Sequence, residues 1–247
     1  AGVERIKEII KAANELGIKV LTFFAFSTEN WSRPKKEVDM LMYSLNNFLN
    51  RQIKELDKNN IKFMAIGRDE PMPEYLQAKI KEAEDKTEDN TGLVVVLALN
   101  YGGRQEIVDA VKNFTRSVIK GEANLEDLNV QKFGDYFYTA GLPDPDLLIR
   151  TSGEMRISNF LLWQISYAEL YFPKKHWPDF RGEDLKKAIL EKVQKEKEEI
   201  LKQARREAEE ILGQARCEAA SLEEMYLAEI KKNCLLKKAR ELNQINL

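Results

Sequence analysis

Three short segments of the sequence place recognition side chains directly after apolar runs. The first is Phe26–Arg33, with the sequence FSTENWSR, which holds hydroxyls, a carboxylate, an amide, an indole and a guanidinium. This density of polar groups after a predicted strand indicates a binding site. The same pattern also suits an ordinary helix start, with Ser32 or a neighbour capping a helix that begins beyond Pro34. Both interpretations stay open at this point.

The other two segments carry glycines and arginines. In Asn100–Arg104 (NYGGR), adjacent glycines let the backbone approach a ligand, and the start of the next helix attracts anions. A plain strand-to-helix turn explains this segment equally well. In Arg150–Asn159 (RTSGEMRISN), two arginines and several hydroxyls suit a diphosphate, because guanidinium groups bind its oxygens in forked pairs. The alternative is a polar surface loop.

A single carboxylate, Glu169, interrupts the apolar stretch Phe160–Phe172. A buried carboxylate is costly unless it is paired or binds a metal. Oxygen ligands without Cys or His favour Mg²⁺ over zinc, while a partner arginine is the alternative. The only histidine, His176, lies in a predicted loop, so no nucleophile–His pair is apparent. Group transfer from a diphosphate therefore fits better than Ser–His or Cys–His hydrolysis.

Hydrophobic periodicity predicts the elements that position these segments. Helices and short apolar strands alternate, which predicts an α/β fold with a central, largely parallel sheet flanked by helices. The predicted helices are 3–16 (ended by Gly17), 35–58, 74–84, 104–120 and 129–140, and the predicted strands are 19–26, 61–66, 93–99 and 146–149, with a last apolar segment ending at Phe172. Ligands of such sheets collect at the carboxyl ends of the strands, where the loops after Phe26, Leu99 and Ile149 lie.

The sequence beyond Gly182 changes to a run of charged residues, glutamine and alanine. Apolar pairs recur there every eleven residues, at Ile189–Leu190, Ile200–Leu201 and Ile211–Leu212. This period predicts a long helix in a straight or slightly right-handed coil, which needs a partner helix because the stripe is narrow. We therefore predict two domains, residues 1–190 and a charged helical or coiled-coil extension over residues 191–247.

Composition excludes several classes of function. The net charge is −2, from 39 basic and 41 acidic residues, so the chain has no general attraction to nucleic acid. Both cysteines lie in the charged C-terminal stretch, which argues against a disulfide framework. Without an apolar run of about 18 residues or a signal peptide, the chain is expected to be cytoplasmic. The absence of an initiator methionine before Ala1 predicts that the sequence begins mid-protein.

Several segments together resemble the cis-prenyltransferase family, also known as isoprenyl transferases or undecaprenyl diphosphate synthases. The likeness runs from Ala1 to about Leu190 and rests on residues 25–34, 99–104, 144–154, 156–160 and 167–172. It implies a homodimer with a parallel sheet and a hydrophobic tunnel, lined by the helix that contains Leu41, Leu45 and Phe48. The spacing of these three residues fits ordinary core equally well. It also implies Mg²⁺-dependent condensation of isopentenyl diphosphate with an allylic diphosphate of the farnesyl type. The product would be a long, membrane-seeking cis-polyprenyl diphosphate, made at the inner face of the membrane for cell-wall synthesis.

The resemblance also implies roles for individual residues. Asn30 occupies the position proposed to assist proton removal, and Glu169 that of a metal ligand. The substrate-binding positions are Ser27, Thr28, Glu29, Trp31, Arg33, Arg150, Arg156, Ile157 and Ser158.

Two departures from the family pattern set further expectations. The family's strand and loop with a metal-binding aspartate and a phosphate cradle would precede Ala1. These 247 residues alone are therefore expected to bind isopentenyl diphosphate poorly and to turn over negligibly. The C-terminal stretch resembles peripheral-stalk helices of rotary ATPases. The alternative function, favoured by the missing phosphate cradle, is a non-catalytic scaffold or partner subunit that acts through this helix.

Overall fold

The computed structural model describes the backbone of residues 2–245 and the side chains of residues 5–235. Ala1, on which the prediction of a mid-protein start rests, lies outside the described residues. The chain divides into two compact units, Ala1–Lys192 and Val193–Leu247. The assignment of the second unit as a separate extension stays a prediction.

Helices and strands alternate along the chain, as predicted for an α/β fold. The α-helices are α1 (Gly2–Glu15), α2 (Lys35–Lys58), α3 (Glu74–Thr87), α4 (Gly103–Ile119), α5 (Val130–Gly134) and α6 (Gly182–Ile245). The strands are β1 (Val20–Ser27), β2 (Lys62–Ile66), β3 (Val94–Tyr101), β4 (Leu147–Ile149) and β5 (Glu169–Tyr171). Gly17 ends the first helical segment with a φ of 71°, a conformation that glycine adopts without steric cost.

All strand pairs are parallel, which confirms the predicted sheet type. Three strands form one sheet in the order β1–β3–β2, and β4 and β5 form a second, two-stranded sheet. Strand β3 is central because it pairs with β1 on one side and with β2 on the other. The carboxyl ends of β1 and β3 therefore lie side by side.

Strand β3 separates two hydrophobic cores because alternate side chains point to opposite faces. Val95, Leu97 and Leu99 pack into the core that holds buried residues of α1, α2 and α3. Val96 and Ala98 pack into the other core. Burial on both faces explains why this strand is a continuous apolar run.

Two segments differ from the sequence prediction. The helix expected over 129–140 is only five residues long, because the chain turns after Gly134. The turn brings the ring of Phe137 to 5.3 Å from that of Trp163. Strand β1 was predicted to be buried, but Phe26 is its only buried residue. As an edge strand of the three-stranded sheet, β1 buries less side-chain surface than β3.

A carboxylic acid is buried in the first turn of α4. Glu106 is 1% exposed and accepts hydrogen bonds from the Tyr101 hydroxyl, the Gln164 amide (3.1 Å) and the Tyr138 backbone N–H (3.0 Å). Burial raises the pKa of Glu106 above its usual value, although the bonds from Tyr101 and Gln164 act in the opposite direction. The neutral acid is therefore favoured by folding.

We expect Glu106 to make stability fall as pH rises. Its pKa is higher in the folded chain than in the unfolded chain, so its contribution is complete below the ordinary carboxyl pKa and is lost as pH rises through the folded value. Chemical denaturation of wild type and Glu106→Gln between pH 4 and pH 8 measures this effect. As pH rises, the free energy of unfolding of the variant should increase relative to that of wild type. A constant difference would contradict the expectation.

The described part of the second unit is the C-terminal part of α6, which confirms the predicted long helix. Its apolar residues at the eleven-residue step are exposed in the single chain: Ile200 68%, Leu201 47%, Ile211 65%, Leu212 57% and Leu222 62%. Within the described part of the chain, every helix is too short or too polar to cross a membrane.

Candidate functional site

The loops after β1 and β3 lie next to each other because their strands are paired. Ser27, the last residue of β1, is the register partner of Tyr101, the last residue of β3. The chain then continues from β1 into a short 3-10 helix, Thr28–Ser32. Two of the three predicted recognition segments thus begin at adjacent points of one sheet edge.

The 3-10 helix is fixed by hydrogen bonds at both of its sides. Asn30 Oδ1 accepts a bond from the backbone N–H of Ser27 at 3.0 Å. The indole Nε1 of Trp31 donates to Asn100 Oδ1 at 2.7 Å. The ring of Trp31 also packs edge-on against Phe26, with 4.9 Å between centroids. This segment is therefore held in one conformation.

The helix-cap interpretation of this segment is wrong for Ser32. Its hydroxyl donates to the carbonyl of Glu29 at 2.8 Å, and Pro34 occupies the N-cap position of α2. Arg33 pairs with Glu37 at 2.7 Å on the exposed side of the helix start.

The Asn100–Arg104 segment is more than a plain turn. Asn100 is 3% exposed with a φ of 47°, and its Nδ2 donates to the carbonyls of Arg68 (2.9 Å) and Glu70 (2.7 Å). A Cβ at Gly102 would lie 2.4 Å from Gln105 Oε1, 2.7 Å from Asn159 Nδ2 and 2.8 Å from Thr28 Oγ1. Any residue other than glycine would therefore force these side chains to shift.

The Arg150–Asn159 segment folds back around its first arginine. Nη1 of Arg150 donates to the carbonyl of Arg156 at 2.6 Å and to Ser158 Oγ at 2.7 Å. Arg156 itself pairs with Glu154 at 2.9 Å and is 69% exposed. Since exposed ion pairs contribute little, this guanidinium can exchange Glu154 for a ligand anion at small cost. The guanidinium of Arg150 thus contacts the Ser158 hydroxyl and the backbone of Arg156 within one loop.

The backbone of this loop adopts unusual conformations. Ser152, Ser158, Asn159 and Leu161 all have positive φ, from 44° to 74°. Such strained backbone persists only where the surroundings fix it, and it concentrates at functional sites. Ile157, between the ligand-binding candidates, packs its side chain against the core around Leu148.

The electrostatics of the site centre on Glu29. Asn159 Nδ2 donates to Glu29 Oε1 at 2.9 Å, although the two residues are 130 positions apart. Partial burial raises the pKa of Glu29, but hydrogen bonds from its own backbone N–H and from Asn159 outweigh this effect and lower the pKa overall. Glu29 is therefore a carboxylate at neutral pH. The third recognition loop is joined to the first through this bond.

Glu169 does not lie at the same level of the sheet as the loop that begins at Arg150. It is the first residue of β5 and the register partner of Leu147, whereas Tyr171 accepts the backbone N–H of Arg150 at 2.9 Å. Since Glu169 is level with Leu147, it lies three residues, or roughly 10 Å of strand, behind the level of Arg150.

Glu169 is the predicted protein ligand of a magnesium ion. Among the described residues, no three His, Cys, Asp or Glu side chains are close enough to share a metal. Mg²⁺ is commonly bound by one or two carboxylates together with substrate phosphates. Glu169 is therefore compatible with Mg²⁺ as one ligand of an ion that the diphosphates also hold.

The predicted tunnel helix packs as core in the single chain. Phe48 is 4% exposed, and Leu41 and Leu45 pack against the same cluster. The tunnel stays a prediction. Sequence analysis assigned no individual role to Asn100 or Asn159, which connect the loops. The available signal was an asparagine directly after a strand or in a glycine-containing loop, since asparagine is enriched at positive φ.

Comparison with known proteins relates the first unit to one family. Residues 1–199 match the family described as "Putative undecaprenyl diphosphate synthase". The isoprenyl transferase of Clostridium perfringens is 50% identical over 191 residues, which cover 77% of this chain and 76% of the relative. The ditrans,polycis-undecaprenyl-diphosphate synthase of Micrococcus luteus, specific for (2E,6E)-farnesyl diphosphate, is 48% identical over 188 residues and 76% of both chains.

A solved structure shares the fold. Lavandulyl diphosphate synthase from Lavandula x intermedia, in complex with dimethylallyl diphosphate, superposes with a TM-score of 0.75 and 42% identity. The match covers 77% of this chain and 83% of that protein.

Proposed function

This chain belongs to the cis-prenyltransferase family of isoprenyl transferases and undecaprenyl diphosphate synthases, and from that membership we propose that it extends a farnesyl-type allylic diphosphate with isopentenyl diphosphate. The proposed product is a long cis-polyprenyl diphosphate such as undecaprenyl diphosphate. The observation that carries the proposal is the convergence of loops 27–33, 100–104 and 150–159 through Asn100 and Asn159.

The reaction requires one bond to break, one to form and one proton to leave. The allylic C–O bond breaks and releases diphosphate, while the double bond of isopentenyl diphosphate attacks the allylic carbon. Loss of a proton from the isopentenyl unit then gives the new cis double bond. Arg150 and Arg156 would bind the isopentenyl diphosphate oxygens, with Ser158 donating a further hydrogen bond. Ser27, Thr28, Glu29, Trp31 and Arg33 would line the site.

Asn30 is suited to assist proton removal by orientation. Its Oδ1 is already held by the Ser27 N–H, so the amide plane is fixed. An amide is too weak a base to keep the proton, so Asn30 would direct it to a diphosphate oxygen or to water. Mg²⁺, when bound by Glu169 and the diphosphates, supplies charge neutralisation for the departing diphosphate. Both roles are proposals.

The test is elongation of allylic primers by an extended chain. This form carries, before residue 1, the segment that precedes the matched region in an isoprenyl transferase relative. Radiolabelled isopentenyl diphosphate is supplied with dimethylallyl, geranyl or farnesyl diphosphate. Farnesyl diphosphate should give the fastest incorporation and a ladder of long products. Products stopped after one addition would overturn the long-chain part of the proposal.

Assembly and location extend the same proposal. The family resemblance supports a homodimer. A long polyprenyl product is almost wholly hydrocarbon, so we place the enzyme in the cytoplasm at the inner face of the membrane, where the product would serve cell-wall synthesis. A non-catalytic scaffold that acts through the C-terminal helix is the second candidate. The exposed eleven-residue stripe of the second unit favours it.

Cysteine cross-linking tests whether the second unit pairs with a second copy of itself. Cys234 lies two eleven-residue steps beyond Leu212, about 40° from it around the helix, whereas Cys217 lies about 140° from Leu212. Both cysteines are exposed in the single chain. In a parallel, in-register pair, a short bismaleimide should link Cys217→Ser chains through Cys234 at least about ten times more efficiently than Cys234→Ser chains through Cys217. Equal yields would argue against this pairing.

A further inference from the structure

Asn159 connects all three recognition loops through four hydrogen bonds. Its Nδ2 donates to Glu29 Oε1 at 2.9 Å and to Gln105 Oε1 at 3.1 Å. Its Oδ1 accepts the backbone N–H of Arg104 at 2.9 Å, and its carbonyl accepts the N–H of Gly103 at 2.7 Å. Both ends of the side chain and the backbone are thus engaged in joining separate segments.

The residue type matches this position closely. The φ of 64° is tolerated by asparagine far better than by most side chains. An amide offers donors toward Glu29 and Gln105 and an acceptor toward Arg104 at the same time. An aspartate would keep the acceptor but place a second carboxylate against Glu29. A glycine would keep the backbone conformation and remove every side-chain bond.

The position of Asn159 next to Ser158 links its hydrogen bonds to ligand binding. Ser158 accepts a hydrogen bond from Arg150, and Asn159 follows it directly in the chain. A diphosphate that binds Arg150 and Ser158 must therefore act on the backbone that carries Asn159. When this backbone moves or becomes ordered, the hydrogen bond from Asn159 to Glu29 transmits the change to the 3-10 helix. The path runs through four residues, namely Arg150, Ser158, Asn159 and Glu29.

We infer that Asn159 is a positioning residue that couples isopentenyl diphosphate binding in the 150–158 loop to the conformation of the 27–33 loop. The inference rests on the proposed function, because it takes the 150–158 loop as the diphosphate site. In this proposal, Asn159 itself binds neither substrate. It acts by holding Glu29, and with it Asn30 and Trp31, in the conformation that binds the allylic diphosphate.

Hydrogen–deuterium exchange on the full 247-residue chain tests the coupling without needing turnover. Exchange is followed by mass spectrometry with and without millimolar isopentenyl diphosphate and Mg²⁺. In wild type, the ligand should slow exchange in both 150–158 and 27–33, by roughly 3–10-fold. In Asn159→Gly, the ligand should still slow 150–158 but leave 27–33 unchanged. Gln105→Ala, which removes the other acceptor of the same amide, should behave as wild type.

A reversed pair supplies a stricter test. Asn159→Asp should also uncouple the two segments, because the carboxylate cannot donate to Glu29. Combining it with Glu29→Gln restores a hydrogen bond in the opposite direction and should recover at least half of the wild-type response. A merely structural role for Asn159 would not predict this rescue. Thermal melts confirm that each variant is folded, and the aspartate variant serves if the glycine variant is not.

The possible failures are distinguishable. If the ligand slows 27–33 in Asn159→Gly as much as in wild type, the inference is wrong while the proposed function stands. If the ligand changes neither segment in wild type, the 150–158 loop is not the diphosphate site. That outcome overturns the proposed function and the inference together.

Discussion

Replacement of Arg150 by alanine is expected to lower kcat/KM for isopentenyl diphosphate by about 10²–10³-fold in the extended chain, equivalent to about 3–4 kcal/mol of transition-state binding. Arg150 would bind the diphosphate, and its guanidinium also holds the Arg156 carbonyl and Ser158 Oγ. Its loss therefore removes one ligand contact and loosens two others.

Two further variants make this result interpretable. Arg150→Lys keeps the charge but cannot reach both partners in a fork, so we expect it to recover no more than about one-tenth of the lost activity. Arg116→Ala is the matched control, because Arg116 is an exposed arginine on α4 whose guanidinium contacts Asn113. Its kcat/KM should match wild type. Near-wild-type kcat/KM in a folded Arg150→Ala chain would contradict the assignment.

Glu169→Gln in the extended chain is expected to reduce kcat by about 10²–10³-fold at saturating substrate. The amide is nearly isosteric with the carboxylate but lacks the negative charge that binds Mg²⁺, so the Mg²⁺ concentration for half-maximal rate should also rise. Mg²⁺ titrations of initial rate measure both effects.

An exposed carboxylate far from the β4–β5 ladder in sequence provides the control for Glu169. Glu122→Gln, which changes an exposed carboxylate in the turn after α4, should leave the Mg²⁺ titration unchanged. Glu169 lies behind the level of Arg150 in the β4–β5 ladder, so its role as a metal ligand is a demanding prediction. Wild-type turnover and Mg²⁺ dependence in Glu169→Gln would remove Glu169 from the metal site.

Much of the fold could be predicted because its signals are local. The helical period and flanking residues of α2 gave its bounds, Lys35–Lys58, without error. The continuous apolar run of β3 indicated a strand buried on both faces, which the structure confirms. The helix expected over 129–140 was wrong because its apolar spacing continues past Gly134, whereas the chain turns there to place Phe137 beside Trp163. That contact spans 26 residues and leaves no periodic signal.

The location of the candidate site was predictable, but its connections were not. The rule that ligands collect at the carboxyl ends of parallel strands identified the loops after Phe26, Leu99 and Ile149. The bond between Asn159 and Glu29 depends on the strand order and on a series of positive φ values between residues 152 and 161. The strand order has no local sequence signal, and neither do the positive φ values of Ser158 and Leu161. The roles of the individual site residues stay predictions.

The most direct measurement of the central claim is incorporation of labelled isopentenyl diphosphate into farnesyl diphosphate with Mg²⁺. It compares the extended chain with extended Arg150→Ala. We predict long-chain product from the first and a loss of about 10²–10³-fold in the second. Inactivity of the extended chain, with the protein folded, would contradict the account and favour a scaffold that acts through the C-terminal helix.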